Sequence, residues 1–321
     1  MSDTPDALVH HSVRGTQWMN ATALESAVAE RNRNVDLRIA RTPEETAAIA
    51  PDVEVLLSSF VEPALLERMA SLRWIQALSA GVDSLDLDLL RDRELLLTNA
   101  AGVHAQPIAE QVLGYMLAFE RRFGRAADNE RRGVWERYTG GELAGKTLGV
   151  IGVGEIGSRI AEVADAIGMC VVGTKQDPAD VPEGVEWVGA PDRLYDVLVE
   201  ADYVIVACPL TDETRGLLGS DEIGAMKDDA VLINVARGEI VDEQALTNAV
   251  KQRIIRGAAL DVFETEPLPP KSPLWDLTNV FVTPHNAGST PKLPDRIAEI
   301  FLENYDAFAD GETERMRNRV L

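Results

Sequence analysis

The densest group of residues able to do chemistry is a glycine run, Gly152-Val153-Gly154-Glu155-Ile156-Gly157, which follows the apolar stretch 147–151 and opens a helical pattern over 156–167. In that setting each glycine serves a separate purpose. Gly152 permits a tight turn, Gly154 lets backbone approach a diphosphate, and Gly157 lets helix and strand pack closely. The helix start, with Glu155 and Ile156, offers N–H groups and a dipole that favour negative charge. A bare glycine pattern would be no more than a turn; a strand before it and a helix after it make it a dinucleotide loop. Which dinucleotide depends on the end of the next strand, about 20 residues on, where a carboxylate ordinarily receives the ribose hydroxyls of NAD. There the chain reads Gly173-Thr174-Lys175-Gln176-Asp177, with Gly173 or Thr174 at the carboxylate position and Lys175 after it. A cation there suits the 2′-phosphate of NADP. NADP(H) is therefore expected over NAD(H), against two competing readings: Asp177 as the ribose partner, and Lys175 as a solvated side chain.

Other reactive types are sparse. Of the four histidines, His10, His11 and His104 lack partners grouped at ligand spacing, so no metal is expected. His104 is assigned to an interdomain hinge and the N-terminal pair to surface or strand. There is no GxSxG elbow. Cys170 and Cys208 both sit in apolar strand-like runs and read as buried thiols, not as a disulfide or a zinc site.

The elements that must hold these residues alternate in the βα manner of a mostly parallel sheet. Strand-like runs at 53–57, 74–78 and 95–98, with helical patterns from Asn20 (as N-cap) through Leu24 and Val28 and over 63–70, make a first block. A helix is expected over 105–123, with Ile108, Val112, Met116 and Phe119 on one face, followed by a charged segment to Tyr138 that breaks periodicity. Its six arginines alternate with Glu120, Asp128, Glu130 and Glu136, so it reads as a solvated or subunit-contact arm instead of an anion patch. Strands then follow at 147–151, 169–173, 185–188, 203–207, 231–235, 257–262 and 280–283, with Gly168 ending a helix, Ser220 capping 220–227 and Asp242 capping 242–253. The fold class is α/β: two Rossmann-like, doubly wound parallel-sheet domains with a cleft between them. Residues 1–99 with 290–321 form a discontinuous substrate domain, to which the 297–309 helix returns, and 100–289 the dinucleotide domain.

Composition excludes whole classes of partner. With 53 acidic against 31 basic residues the formal charge is −22, which would repel nucleic acid and anionic membrane surfaces alike. Only six of the basic residues are lysines (146, 175, 227, 251, 271 and 292). This acid-rich, lysine-poor profile resembles proteins of salt-loving archaea, whose concentrated salt screens such self-repulsion. No apolar run is long enough to span a membrane and the N-terminus lacks signal-peptide regions, so a cytoplasmic protein is expected.

From 143 to 288 the chain resembles the D-isomer-specific 2-hydroxyacid dehydrogenases, through GKTLGVIGVGEIG, CPLTDETRGLL, INVARGEIVDEQAL, AALDVFETEPL and TPHNAG in the order and spacing of that family. The pieces Leu78-Ser79-Ala80-Gly81-Val82-Asp83 and Ile108-Ala109-Glu110 extend the resemblance to nearly the whole chain. It implies Arg237, Glu266 and His285 as the catalytic set. An arginine fork can hold a 2-oxoacid bidentately, which lysine cannot. A histidine can protonate the keto oxygen and, in reverse, take the hydroxyl proton. A glutamate beside it would orient the ring and favour its charged form.

The resemblance also places the substrate carboxylate on the N–H groups of Ala80 and Gly81; Ser58 and Phe60, after the 53–57 strand, read either as pocket walls or as an ordinary loop. Asp261 would accept from the nicotinamide carboxamide, Val235, Ala236, Ala287 and Gly288 would line its ring, Cys208 and Pro209 would pack on the adenosine side, and Thr211 and Thr214 would meet the pyrophosphate or form a turn.

Together these features imply an NAD(P)-dependent D-2-hydroxyacid dehydrogenase acting on a small 2-oxoacid or 2-hydroxyacid, and the resemblance implies a homodimer through the cofactor domain, with Trp135 of the charged arm a candidate for that contact. Glutamate at 266, where formate dehydrogenases of this fold carry glutamine, disfavours formate. Phosphite oxidation and glyoxylate or hydroxypyruvate reduction are left open within the family; a non-enzymatic NAD(P)-sensing corepressor is the alternative outside it.

Overall fold

A computed structural model describes residues 5–13, 21–31, 35–82 and 84–321. The expected N-cap Asn20, and Asp83 of the 78–83 motif, lie outside the described residues. The chain divides into two compact units, Met1–His104 with Ser289–Leu321, and Ala105–Gly288.

The first unit is built on a parallel sheet in the order β2-β1-β3-β4-β5, from β1 (Asp6–Val9), β2 (Asp36–Ile39), β3 (Val55–Leu57), β4 (Trp74–Gln76) and β5 (Leu96–Thr98). Its strands are short and apolar because the sheet is covered on both faces. Ala7 and Val9 point into one core and Leu8 into another, and Val55, Leu56 and Leu57 divide in the same way. One core packs α1 (Ala21–Glu30) against the C-terminal helix Leu293–Ala309, with Trp74 stacked 5.7 Å from Phe301. The shorter α2 (Pro43–Ile49), α3 (Pro63–Leu66) and α4 (Leu87–Asp92) complete the unit. A buried polar chain ties sheet to helix: Trp74 Nε1 donates to Thr98 Oγ1 at 2.9 Å, Thr98 Oγ1 to Gln76 Oε1 at 2.8 Å, and Asn304 Nδ2 to the same oxygen at 3.2 Å.

The second unit carries a longer parallel sheet, order β12-β11-β10-β9-β6-β7-β8. Its strands are β6 (Thr147–Ile151), β7 (Cys170–Thr174), β8 (Trp187–Gly189), β9 (Tyr203–Val206), β10 (Val231–Asn234), β11 (Gly257–Leu260) and β12 (Val280–Val282). One face is covered by α5 (Ala105–Glu120) and α7 (Glu155–Ala166), the other by α8 (Leu194–Glu200), α9 (Ser220–Ala225) and α10 (Glu243–Gln252). The strand order reverses between β6 and β9, and the ends of these two strands are where a doubly wound sheet opens to a ligand.

Several elements differ from the sequence expectation. β1, β2, α2, α4 and α8 are absent from it because each offers only four to seven residues, too few for a period to emerge from mixed charged and apolar positions. The segment 121–138, expected to be irregular, contains α6 (Phe123–Arg131): Arg122 takes a left-handed conformation (φ 55°) that ends α5, and the chain restarts as a helix whose charges face solvent. The cap of α9 is Gly219, not Ser220; Glu222 closes the turn by accepting from Gly219 N at 3.0 Å. Asp242 does cap α10, accepting from Ala245 N at 2.8 Å, and Gly168 (φ 83°) ends α7.

Far from the ligand-facing strand ends, Glu120 is 3% exposed and accepts from Tyr203 Oη at 2.5 Å and Arg256 Nη1 at 2.6 Å. Burial alone would raise its pKa; these two donors and the Arg256 charge outweigh that and hold the carboxyl below its usual range.

Candidate active site

The glycine loop hangs from the end of β7: Gly152 N and Val153 N both donate to Thr174 O, at 3.0 and 2.9 Å. Gly152 has φ 99°, and a Cβ there would stand 2.6 Å from Cys208 Cα, just beyond β9. A Cβ at Gly157 would drive into Gly152 O, so the start of α7 packs backbone to backbone on the turn. At Gly154, by contrast, a Cβ would meet nothing within 4 Å. The first turn of α7 has no side-chain cap, and its leading N–H groups, at Glu155, Ile156 and Gly157, have no partner within the helix. A tight turn, an open approach and uncapped N–H groups fit a dinucleotide diphosphate.

Around the loop, Lys175 is the first residue after β7 and half-buried, its N–H bonded to Gly189 O at 2.9 Å. Asp177 is exposed and caps its own turn, Oδ1 accepting from Ala179 N at 3.2 Å. Thr174, the last residue of β7, is buried. Burial pushes the Cys208 thiol up to about 11, which keeps it protonated and packed beside Gly152. Thr214 is engaged locally, its Oγ1 donating to Pro209 O at 2.7 Å and accepting from Thr211 N at 2.7 Å. Of its two expected roles, these bonds match the turn-former.

His285 and Glu266 meet: His285 Nδ1 lies 2.7 Å from Glu266 Oε2, while Glu266 Oε1 accepts from Phe263 N at 3.1 Å. The loop after β12 aims the ring by an uncommon conformation. His285 sits at φ 51°, held by its N–H on Asp261 O at 2.8 Å and Thr283 O at 3.0 Å. Left-handed backbone at a non-glycine residue costs of order 1–3 kcal/mol and persists only where the surroundings enforce it, a pattern that clusters at functional sites. Arg237 follows β10 and is exposed, its Nη1 on Ala236 O at 2.7 Å. The turn that carries it is fixed by buried Asn234, which donates to Arg237 O at 2.9 Å and accepts from Ala236 N at 3.0 Å. A Cβ at Gly238 would enter the Phe263–Glu264 peptide, so the Arg237 turn rests directly on the segment leading to Glu266.

Val235 and Ala287 are buried and Gly288 is half-buried beside the same loops. Asp261 accepts from Asn286 N at 3.0 Å and Ala287 N at 2.8 Å. Asn234, Tyr115 and Thr283 are the site residues that motif reading missed. A polar residue closing an apolar strand, as in Val231-Leu232-Ile233-Asn234 and Val280-Phe281-Val282-Thr283, was the available signal.

In the first unit, Ala80 O accepts from Asn99 Nδ2 at 2.8 Å and Gly81 O from Ser79 Oγ at 2.7 Å. Among the described residues the Ala80 and Gly81 N–H groups have no hydrogen-bond partner. Ser58 is buried, and its hydroxyl is spent inside its own loop, donating to Phe60 O at 2.6 Å and accepting from Phe60 N at 3.2 Å; the Phe60 ring is exposed. Among the described residues no group of three or more His, Cys, Asp or Glu is placed to hold a metal ion.

Residues 113–287 match the profile of the D-isomer specific 2-hydroxyacid dehydrogenase family, NAD binding domain. The chain belongs to this family. The dehydrogenase is 39% identical over 267 residues to glyoxylate reductase of Aeropyrum pernix, covering 80% of this chain and 79% of that one. It is 36% identical over 293 residues to D-3-phosphoglycerate dehydrogenase of Methanocaldococcus jannaschii, covering 89% of this chain but only 55% of that relative's length. Among solved structures, the D-isomer specific 2-hydroxyacid dehydrogenase of Xanthobacter autotrophicus Py2, in complex with NADPH and MES, superposes with a TM-score of 0.82 at 30% identity, covering 99% of this chain and 98% of that one.

Proposed function

We propose that this dehydrogenase interconverts a small 2-oxoacid and its D-2-hydroxyacid, with NADPH preferred to NADH, His285 as acid and base, Glu266 as its partner and Arg237 as the substrate's cation. The 2.7 Å contact between His285 Nδ1 and Glu266 Oε2 carries the reading. When bound, the reduced nicotinamide supplies the hydride for the carbonyl carbon. The chain's own residues manage the proton and the charge. With Nδ1 donating to Glu266, the proton that goes to the keto oxygen, or returns from the hydroxyl, passes through Nε2. The carboxylate compensates the imidazolium charge before transfer, and a positioned acid of this kind contributes about 10²–10⁴-fold. Arg237 pairs its planar fork with the acid's carboxylate and keto oxygen. In the first unit, the unpartnered N–H groups of Ala80 and Gly81 serve as anion donors.

Lys175 supports the cofactor preference: it stands at the end of β7, while Asp177 is occupied with Ala179. A carboxylate at 173 is excluded on steric grounds, since a Cβ there would stand 2.5 Å from Val153 Cγ2. The charge of −22 supports adaptation to concentrated salt, which screens repulsion between the chain and its anionic ligands. Trp135, 93% exposed, with exposed Phe123 and Val134 in the same 121–138 arm, supports a homodimer through this arm. No helix among the described residues is long and apolar enough to cross a membrane, and the cytoplasm is the proposed location.

The test is kcat/KM for glyoxylate, hydroxypyruvate and branched 2-oxoacids with NADPH and NADH in molar KCl. Turnover of the small acids, fastest with NADPH, is expected. Cofactor binding without turnover of any acid would leave the sensor reading in its place.

A further inference from the structure

A line of hydroxyls stands behind the His285 loop. Tyr115, on the inward face of α5 and 5% exposed, shares a short hydrogen bond with Thr283 Oγ1, and Thr283 Oγ1 shares another with Asp261 Oδ1. The last member fixes the direction of the line. An ionised carboxylate only accepts, so the Thr283 hydroxyl donates to Asp261 and must accept from the Tyr115 phenol. Burial pushes the phenol's pKa above its ordinary value, so its proton stays in place at neutral pH.

Asp261 is 2% exposed, and its remaining partners can be counted. Oδ1 takes Thr283 Oγ1 and Asn286 N; Oδ2 takes Ala287 N. A carboxylate has about four lone-pair positions, so both on Oδ1 are filled and one on Oδ2 has no donor among the described residues.

We propose that Tyr115 and Thr283 form a positioning relay, which fills Oδ1 and so fixes the Asp261 carboxylate with its one open Oδ2 position turned to the carboxamide N–H of the nicotinamide. The proposal rests on the reading of Asp261 as the carboxamide acceptor. Neither hydroxyl touches the cofactor; both act through Asp261. Without the Thr283 hydroxyl, Oδ1 has an empty position and the carboxylate is held by the Asn286 and Ala287 N–H groups alone, so the carboxamide meets a less defined acceptor. Without the Tyr115 phenol, Thr283 still donates but loses the bond that holds and polarises its hydroxyl.

The relay is tested by equilibrium binding, with no turnover involved. Calorimetry compares NADP+ with its 3-acetylpyridine analogue, whose ketone has no N–H to give; NAD+ and its own analogue serve equally, since both dinucleotides carry the carboxamide. Loss of a charge-assisted hydrogen bond predicts that the wild type binds the analogue about tenfold more weakly or worse. In Thr283→Val the ratio is expected to fall to about twofold, in Tyr115→Phe to an intermediate value, and in Thr283→Ser to return to that of the wild type. Circular dichroism checks that each variant is folded. If Thr283→Val does not fold, Tyr115→Phe, which loses a single oxygen, decides. A wild-type ratio of one would remove the carboxamide role of Asp261 and the relay with it. A wild type that discriminates, beside variants that discriminate equally well, would overturn the relay alone.

Discussion

Glu266 Oε2 stands 2.7 Å from His285 Nδ1, and Glu266 is itself held by the Phe263 N–H on its other oxygen. The carboxylate only accepts, so it fixes Nδ1 as the ring nitrogen that carries the proton toward the protein. Both residues lie on loops that leave the carboxyl ends of β11 and β12, where a parallel sheet delivers its side chains to a ligand.

Glu266→Gln keeps the size of the side chain but no longer imposes the tautomer or compensates an imidazolium. We expect kcat to fall by about 10²-fold while KM for the 2-oxoacid changes little, the pattern of an interaction made in the transition state. Steady-state kinetics with saturating cofactor measures this split. An unchanged kcat would reduce the contact with His285 to a surface ion pair.

Arg237→Lys replaces a planar fork by a point charge. The Asn234 bonds that shape the turn are to backbone, so the fold is expected to survive. KM for the 2-oxoacid should rise and kcat/KM fall by about 10²-fold, with the dissociation constant of NADPH nearly unchanged. Equal loss of cofactor affinity would move Arg237 from substrate to cofactor.

Lys175→Glu places a carboxylate after β7, where it would repel a 2′-phosphate and accept from ribose hydroxyls. The ratio of kcat/KM for NADPH to that for NADH is expected to drop by about tenfold or more. A ratio that does not move would make Lys175 a solvated side chain.

His10 gives a pH prediction in the first unit. Burial, with the neighbouring His11 charge, pushes its pKa down to about 4 from an ordinary 6.5. The unfolded chain then binds more protons than the folded one between these values, so stability is fully present above pH 6.5 and declines as pH falls toward 4. Thermal melts of the wild type and His10→Gln across that window are expected to show the steeper acid-side decline in the wild type. Parallel curves would mean that the imidazole titrates alike in both states.

The second unit was the more legible of the two in the sequence, and the reason is physical. Its strands, such as Val231-Leu232-Ile233 and Thr147-Leu148-Gly149-Val150-Ile151, are continuous apolar runs of central parallel strands, and Gly152, Gly157 and Gly168 mark positions that only glycine fits. In the first unit, β1 contributes only Ala7, Leu8 and Val9 to the core and β2 alternates charged with apolar residues, so neither stands out from a loop. Arg237, Glu266 and His285 were found through motif spacing, since no local pattern marks an exposed arginine or glutamate as functional. Tyr115 was hidden for the opposite reason: on the apolar face of α5 a tyrosine reads as core, and its hydroxyl's bond to Thr283 is visible only in the fold.

The proposed chemistry stands or falls on the His285→Ala variant, assayed for kcat with glyoxylate and NADPH alongside the dissociation constant of NADPH. We expect kcat to fall by about 10²–10⁴-fold while the dissociation constant stays within about twofold of the wild type, because in the proposed mechanism His285 handles the substrate's proton and the glycine loop holds the dinucleotide. Turnover at the wild-type rate in that variant would contradict the assignment of His285 as acid and base.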